Sequence, residues 1–187
     1  MFNFMLNFMK DINEHHGVSP ADTALHIAIE RGFFRTTKKI LAMNADVNKL
    51  NCGYDETPLH RAARYQRIEL INLLIEHGGS MEKTDTGKQT PLHYACYFYP
   101  QNEKVVGKCM EYNSLYSRTM KGYTPMHTLA SRSKEATAEA AAIVESFLGR
   151  GFDMETKDYR GRTPLVSYLE KKRWANGFII IEKQCPS

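Results

Sequence analysis

The side chains best suited to chemistry in this 187-residue chain are its seven histidines and four cysteines, and their spacing limits what they can do. Four imidazoles stand three residues after a threonine, in Thr23-Ala24-Leu25-His26, Thr57-Pro58-Leu59-His60, Thr90-Pro91-Leu92-His93 and Thr124-Pro125-Met126-His127. Metal binding or catalysis would require such rings to converge on each other, a carboxylate or a thiol. A residue recurring at one place in a repeated tetrapeptide instead belongs to the architecture of the repeat. His15 and His16 form a surface pair with no cysteine or carboxylate at ligand spacing. The cysteines, Cys52, Cys96, Cys109 and Cys185, form no CxxC pair, which argues against a zinc knuckle or a disulfide framework and for a reducing compartment. There is no phosphate loop, GxSxG or HExxH. The sequence therefore predicts no enzyme, catalytic residue, metal or cofactor.

What positions these rings is a repeat. A fifth node, Thr163-Pro164-Leu165-Val166, continues the series, and successive threonines lie 34, 33, 34 and 39 residues apart. Threonine can cap a helix through its hydroxyl, and proline at the first helical position sacrifices no needed N–H. Each node is thus read as a helix start. Small residues after the histidine, Ala28, Ala62 and Ala95, let neighbouring helices approach closely. Second helices are expected from apolar stripes at helical spacing: Ile68, Ile71, Leu74 and Ile75, and later Ile143, Val144, Phe147 and Leu148. Turn signals close them, at Asn44-Ala45-Asp46-Val47-Asn48, Gly78-Gly79-Ser80-Met81 and Gly151-Phe152-Asp153-Met154. Gly87, Gly122 and Gly161 are expected to assist the hairpins that follow.

The period and the Thr-Pro-Leu-His pattern resemble the ankyrin repeat, a unit of about 33 residues. The resemblance implies an all-α solenoid of helix-turn-helix units joined by β-hairpin loops, with five repeats in one domain over residues 1–187. It also implies a structural role for His26, His60, His93 and His127, their rings hydrogen-bonded to backbone between repeats, with Thr23, Thr57, Thr90, Thr124 and Thr163 as motif positions. Residues 1–22 are read as an N-terminal capping helix, with Met5, Leu6 and Met9 on its apolar face. The fifth repeat, with Val166 for histidine, reads as a terminal unit. Phe178 to Ile181 is apolar but ambiguous between helix and strand. The fourth repeat carries about five extra residues within 131–140, rich in alanine and glutamate and expected to lengthen its second helix.

Composition sets outer bounds. With 42% hydrophobic and 25% charged residues and a net charge of +4, the chain is an ordinary globular one with no block of like charges to mark a nucleic-acid arm or a membrane anchor. Residues 1–9 lack a basic leader, so a secretory signal is not expected, and a cytoplasmic location, with the nucleus also open, is.

In ankyrin proteins, partners dock on the concave surface formed by the first helices and hairpin tips. Carried over to this chain, that surface gathers Arg61, Arg64 and Tyr65 beside Tyr94, Tyr97, Phe98 and Tyr99. The hairpin tips add Tyr54, Asp55, Lys88, Lys121 and Arg160. Aromatic residues and arginine dominate interface energetics, so this patch is the expected contact centre for another protein. Phe98 and Tyr99 have the alternative of filling space beneath a turn that lacks its usual glycine. The expected function is a monomeric adaptor or inhibitor. Within that class the chain resembles an IκB-like inhibitor of a transcription factor, or a pathogen or viral mimic of one. With no Asp-Ser-Gly segment before the first repeat and no acidic Pro/Ser/Thr-rich tail, such inhibition would be constitutive. A different reading is a nucleic-acid or small-ligand sensor that stacks its ligand on the arginine and tyrosine cluster.

Overall fold

A computed structural model gives the fold and describes residues 11–16, 21–98, 102–112, 115–132 and 138–175. A short antiparallel pair, β1 (His15–His16) and β2 (Asp22–Thr23), precedes the first node. The helices then come in pairs: α1 (Ala24–Glu30) with α2 (Phe34–Ala42), and α3 (Pro58–Arg64) with α4 (Ile68–Glu76). Next are α5 (Pro91–Phe98) with α6 (Glu103–Met110) and α7 (Pro125–Arg132) with α8 (Ala138–Gly149), and α9 (Pro164–Ala175) closes the series. First helices pack on first helices and second on second, so two helical layers run along one axis. Among the described residues the chain is an all-α solenoid of helix-turn-helix units. The expected apolar stripe of residues 1–10 and the Phe178 to Ile181 run lie outside the described residues.

Helices of seven to nine residues are too short to persist alone in water and need both caps and burial. At the second node the caps are reciprocal: the Thr57 hydroxyl accepts from the His60 N–H at 3.4 Å, and His60 Nδ1 accepts from the Thr57 N–H at 3.1 Å. This is a capping box closed by an imidazole where glutamate is usual. Thr124 and His127 repeat it, both bonds at 3.4 Å. At the first node the Thr23 hydroxyl caps no backbone N–H and lies 2.9 Å from His26 Nδ1 instead, so the expectation of a hydroxyl cap does not hold there.

The other ring nitrogen reaches into the following unit. Nε2 of His26, His60, His93 and His127 donates to the carbonyls of Glu56, Gln89, Tyr123 and Arg162 at 2.9–3.0 Å, each the residue just before the next threonine. A carbonyl only accepts, so Nε2 carries the proton and Nδ1, facing the threonine donors, stays bare. Both nitrogens of every motif ring are thereby occupied within the stack.

Between the caps lies a continuous core. Ala28, Ala62 and Ala95 are fully buried, as are Leu25, Ile29, Leu59 and Leu92 of the first helices and Ile40, Ile71, Leu74, Val106, Ile143 and Phe147 of the second. The α4 stripe is rotated from its expected position: Leu70 and Leu73 are buried, whereas Ile68 and Ile75 are half-buried. In α8, Leu148 is exposed because the helix turns it about 100° away from the inward-facing Phe147. At 12 residues, α8 exceeds the nine of α4 and eight of α6.

Turns follow positive φ. Asn44, Gly78 and Gly151 adopt it after their helices, as their types suggested. In the hairpins Gly122 and Gly161 adopt it, but the equivalent residue of the preceding hairpin is Lys88 at φ 58°, not Gly87.

Residues 11–16 form a turn and a strand, not the continuation of a capping helix. Asp11-Ile12-Asn13 matches Asp46-Val47-Asn48 in chemistry and in bonding. Asn13 Oδ1 accepts from the Asp46 N–H at 2.7 Å, as Asn48 Oδ1 accepts from the Ser80 N–H at 2.8 Å. Residues 11–13 thus repeat the turn chemistry that follows the second helix α2. His15 is half-buried there, with Nε2 donating to the Leu50 carbonyl at 2.8 Å.

Burial lowers the imidazoles from 6.5 to about 4 at His26 and His93, and lowers His60 and His127 too. Rings depressed in the fold but ordinary in the unfolded chain stabilise the fold fully above pH 6.5 and lose that contribution as pH falls towards 4. At pH 5 the loss is about 2 kcal/mol for each strongly shifted ring, since one unit is worth about 1.4 kcal/mol. Urea unfolding followed by circular dichroism should therefore show a lower midpoint at pH 5 than at pH 7. An unchanged midpoint would contradict this protonation scheme.

Candidate partner-binding surface

The residues expected to meet a partner divide sharply by exposure. Arg61 is only 5% exposed and Tyr94 6%. The Arg61 guanidinium spreads over three carboxylates: Nε donates to Glu56 at 2.5 Å, Nη1 to Glu30 at 2.8 Å and Nη2 to Asp22 at 2.9 Å. Arg64 adds a bond to the second oxygen of Glu56 at 3.0 Å. The Tyr94 hydroxyl lies 2.8 Å from Glu56 and 2.9 Å from Asp85, sharing one proton between two carboxylates. Burial opposes charge on Arg61, yet Glu56 and Asp22 more than offset it and hold the guanidinium above its usual range. Burial and the same kind of carboxylate neighbours raise the Tyr94 phenol.

This cluster draws on the approach to the first node (Asp22), α1 (Glu30), the following hairpin (Glu56), α3 (Arg61 and Arg64), the next hairpin (Asp85) and α5 (Tyr94). Arg61 and Tyr94 therefore join repeats and offer a partner little surface, which moves the expected contact centre away from them. Tyr65 is half-buried, its phenol raised first by burial and then by the Glu30 charge.

Four side chains remain at the C-terminal ends of α3, α5 and α7. The Arg64 guanidinium lies 4.6 Å from the Phe98 ring centre, and Phe98 meets Tyr97 edge to face at 4.9 Å. The Arg132 guanidinium covers Tyr97 at 4.2 Å, its Nε donating to the Tyr97 carbonyl at 3.2 Å. Tyr97 is 38% exposed, whereas Phe98 is half-buried. The result is a ladder of guanidinium, ring, ring and guanidinium crossing three repeats. Arg132 was missed in the sequence because it borders the inserted segment; aligning it with Tyr65 and Phe98 from their threonines would have found it. Tyr99 lies outside the described residues.

The hairpins form a second edge. Their backbones join in series: the Cys52 N–H donates to the Ala21 carbonyl, Thr86 to Tyr54, and Met120 to Gly87, at 2.9–3.0 Å. Asp85 Oδ1 accepts from the Gly87 and Gln89 N–H groups, and Asp158 Oδ1 from those of Arg160 and Arg162, so these carboxylates are consumed within their turns. The turn contacts of Asp158 and Arg162 hold it below the usual carboxylate range although burial opposes this. Tyr54, Asp55, Lys88, Lys121 and Arg160 are all exposed at this edge. So are Met120 at 64% and Tyr159 at 70%, apolar residues of the same tips.

Cys96 and Cys109 are buried, and burial pushes their thiols up, Cys109 to about 12, which leaves them unreactive packing residues. No helix among the described residues is long and apolar enough to cross a membrane.

Removing Arg61 should cost stability, because Glu56, 2% exposed, and Asp22 would keep buried charge without their principal cation. Breaking a buried pair in this way costs roughly 3 to 5 kcal/mol. The expected Arg61→Met loss is of that order by urea titration, and Glu56→Gln in the same chain should recover part of it. A cost within experimental scatter would mean the cluster is electrostatically neutral to folding.

Sequence comparison agrees with the geometry. The family profile described as "Ankyrin repeats (3 copies)" matches residues 1–85 and 25–108. Inversin of the dog is 29% identical over 147 residues, covering 76% of this chain and 13% of inversin. The variola virus "Ankyrin repeat protein OPG189" is 27% identical over 164 residues, covering 76% of this chain and 28% of that protein. The mouse "B-cell lymphoma 3 protein homolog" is 28% identical over 157 residues, 80% and 34% of the two chains. The chain thus spans about a third or less of the length of these relatives. Ankyrin stacks are in general non-catalytic modules for protein–protein interaction, and from five threonine nodes, four imidazole links and two helical layers, this chain belongs to the ankyrin-repeat family.

Proposed function

We propose that the chain is an adaptor or inhibitor that holds a partner protein on its concave face, with the first-helix ladder and the hairpin tips as contact surface. The observation that carries this reading is the stack of Arg64, Phe98, Tyr97 and Arg132, which places two guanidiniums and an exposed tyrosine side by side on adjacent repeats. Stacking fixes long side chains before a partner arrives, which reduces the entropy lost on binding. Arginine and tyrosine are also the residue types that most often dominate binding energy. A monomer in the cytoplasm or nucleus completes the reading.

A narrower form of the reading is an IκB-like inhibitor of a transcription factor, and the 27% identity to a variola virus ankyrin repeat protein fits a viral version of it. Nucleic-acid sensing is the competing reading. Affinity for nucleic acid would fall steeply with salt in proportion to the phosphates neutralised, whereas a tyrosine-centred protein interface would lose little.

Affinity capture with the native chain, followed by mass spectrometry, should identify a protein partner. Tyr97→Ala and Arg132→Ala should each weaken that complex about tenfold or more, the scale of a hot-spot truncation, with an unchanged circular dichroism spectrum. If both variants keep every partner at native affinity, the ladder is not the contact surface.

A further inference from the structure

We propose that the hairpin edge recognises an extended acidic polypeptide segment carrying a carboxylate at every third residue. The proposal rests on the protein-binding reading above and gives its partner a chemistry. Three consecutive tips read Thr86-Gly87-Lys88, Met120-Lys121-Gly122 and Tyr159-Arg160-Gly161, one cation and no carboxylate apiece. Lys88, Lys121 and Arg160 are exposed, and none enters an ion pair among the described residues. Two arginines flanking these tips are spent inside the fold. Arg118 donates to the Gly122 and Lys157 carbonyls at 3.0 and 2.7 Å, and Arg162 to Asp158 and Glu170 at 2.8 and 2.6 Å. The two aspartates nearest the Lys88 and Arg160 tips, Asp85 and Asp158, are consumed by turn N–H groups.

The spacing supplies the rest. The tips are joined through backbone hydrogen bonds, Thr86 to Tyr54 and Met120 to Gly87, and Tyr159 packs over Gly122, where a Cβ would lie 2.6 Å from its ring. Hydrogen-bonded backbone segments lie about 4.8 Å apart, so hairpins two segments wide repeat every ~10 Å, close to the advance of one three-residue turn of polyproline II chain. In a partner held in the polyproline II conformation, with three residues per turn, carboxylates at positions i, i+3 and i+6 share one face and can therefore meet Lys88, Lys121 and Arg160 in turn. Met120 and Tyr159, 64% and 70% exposed, give the intervening apolar residues something to cover. Asp55 ends the row with opposite charge at the first finger, which sets the register of an acidic segment on the later three. Duplex DNA, with one charge per about 1.7 Å of axis, is far denser than this row of cations.

The probe is a fluorescein-labelled 12-residue peptide with glutamates at i, i+3 and i+6 separated by alanine and leucine, titrated by anisotropy against the full chain. Comparison peptides carry glutamates at i, i+2 and i+4, or lysine for each glutamate. The first peptide should bind at least tenfold tighter than the lysine peptide and several-fold tighter than the compressed one. The combined variant Lys88→Glu, Lys121→Glu and Arg160→Glu should weaken it tenfold or more, with circular dichroism and thermal midpoint unchanged. Equal affinity for native and variant chains, equal affinity for the two glutamate spacings, or preference for a duplex DNA oligonucleotide with a steep salt slope would each overturn the proposal. Protein binding as such is judged separately. A captured partner lost with Tyr97→Ala but kept by the charge-reversed tips would sink the acidic-segment inference and leave the interaction module standing.

Discussion

The whole stack depends on a neutral imidazole bonded on both sides. In each of the first four nodes the ring accepts from its own threonine through Nδ1 and donates through Nε2 to the residue that precedes the next threonine. One ring thus caps its own helix start and fixes the approach to the following one. Short helices that could not stand alone acquire a defined neighbour at a defined height, and alanines at the contact let the two backbones come close. A charged ring could not serve, since a proton on Nδ1 would face donors.

Onto this frame the chain adds a second kind of link. Arg61, buried among Asp22, Glu30 and Glu56, and Tyr94, between Glu56 and Asp85, bind the first three nodes through charge where the imidazoles bind them through backbone. The opposite ends of the first helices are tied as well. Arg67 donates to the Glu30 carbonyl, Asn102 to the Gln66 side chain and Arg132 to the Tyr97 carbonyl. A first-helix surface stitched at both margins holds its aromatic and guanidinium groups in fixed relation, which is what a recognition surface needs before it meets anything.

Helix starts, the period and the roles of the threonines and histidines could be read from the sequence because each is a local signal repeated at fixed spacing. The fate of Arg61 and Tyr94 could not. At their positions a helix presents its side chain to the recognition face, but a carboxylate 39 residues away at Asp22, or 38 residues away at Glu56, draws the group inward. Burial of charge is set by what the neighbouring repeat supplies, and one sequence gives no pairing table for that. The exposure of Met120 and Tyr159 follows from hairpin position and not from residue type, since turns are polar on average. The turn at residues 11–13 is repeated in Asp46-Val47-Asn48, but such a match lies in a turn and not at a threonine, so the sequence predicts a helix over residues 1–22 in its place.

At the fifth node Val166 replaces the imidazole, and with it go both the reciprocal cap and the donor that would fix a following hairpin. The Thr163 hydroxyl still accepts from the Val166 N–H at 3.4 Å, but nothing at that position reaches beyond its own turn. Thermal opening of such a row proceeds unit by unit, each held by its neighbours alone. The helix α9 therefore joins the row without the imidazole tie the four earlier first helices share, and its place is held by packing on α7 and by the Arg162–Glu170 pair.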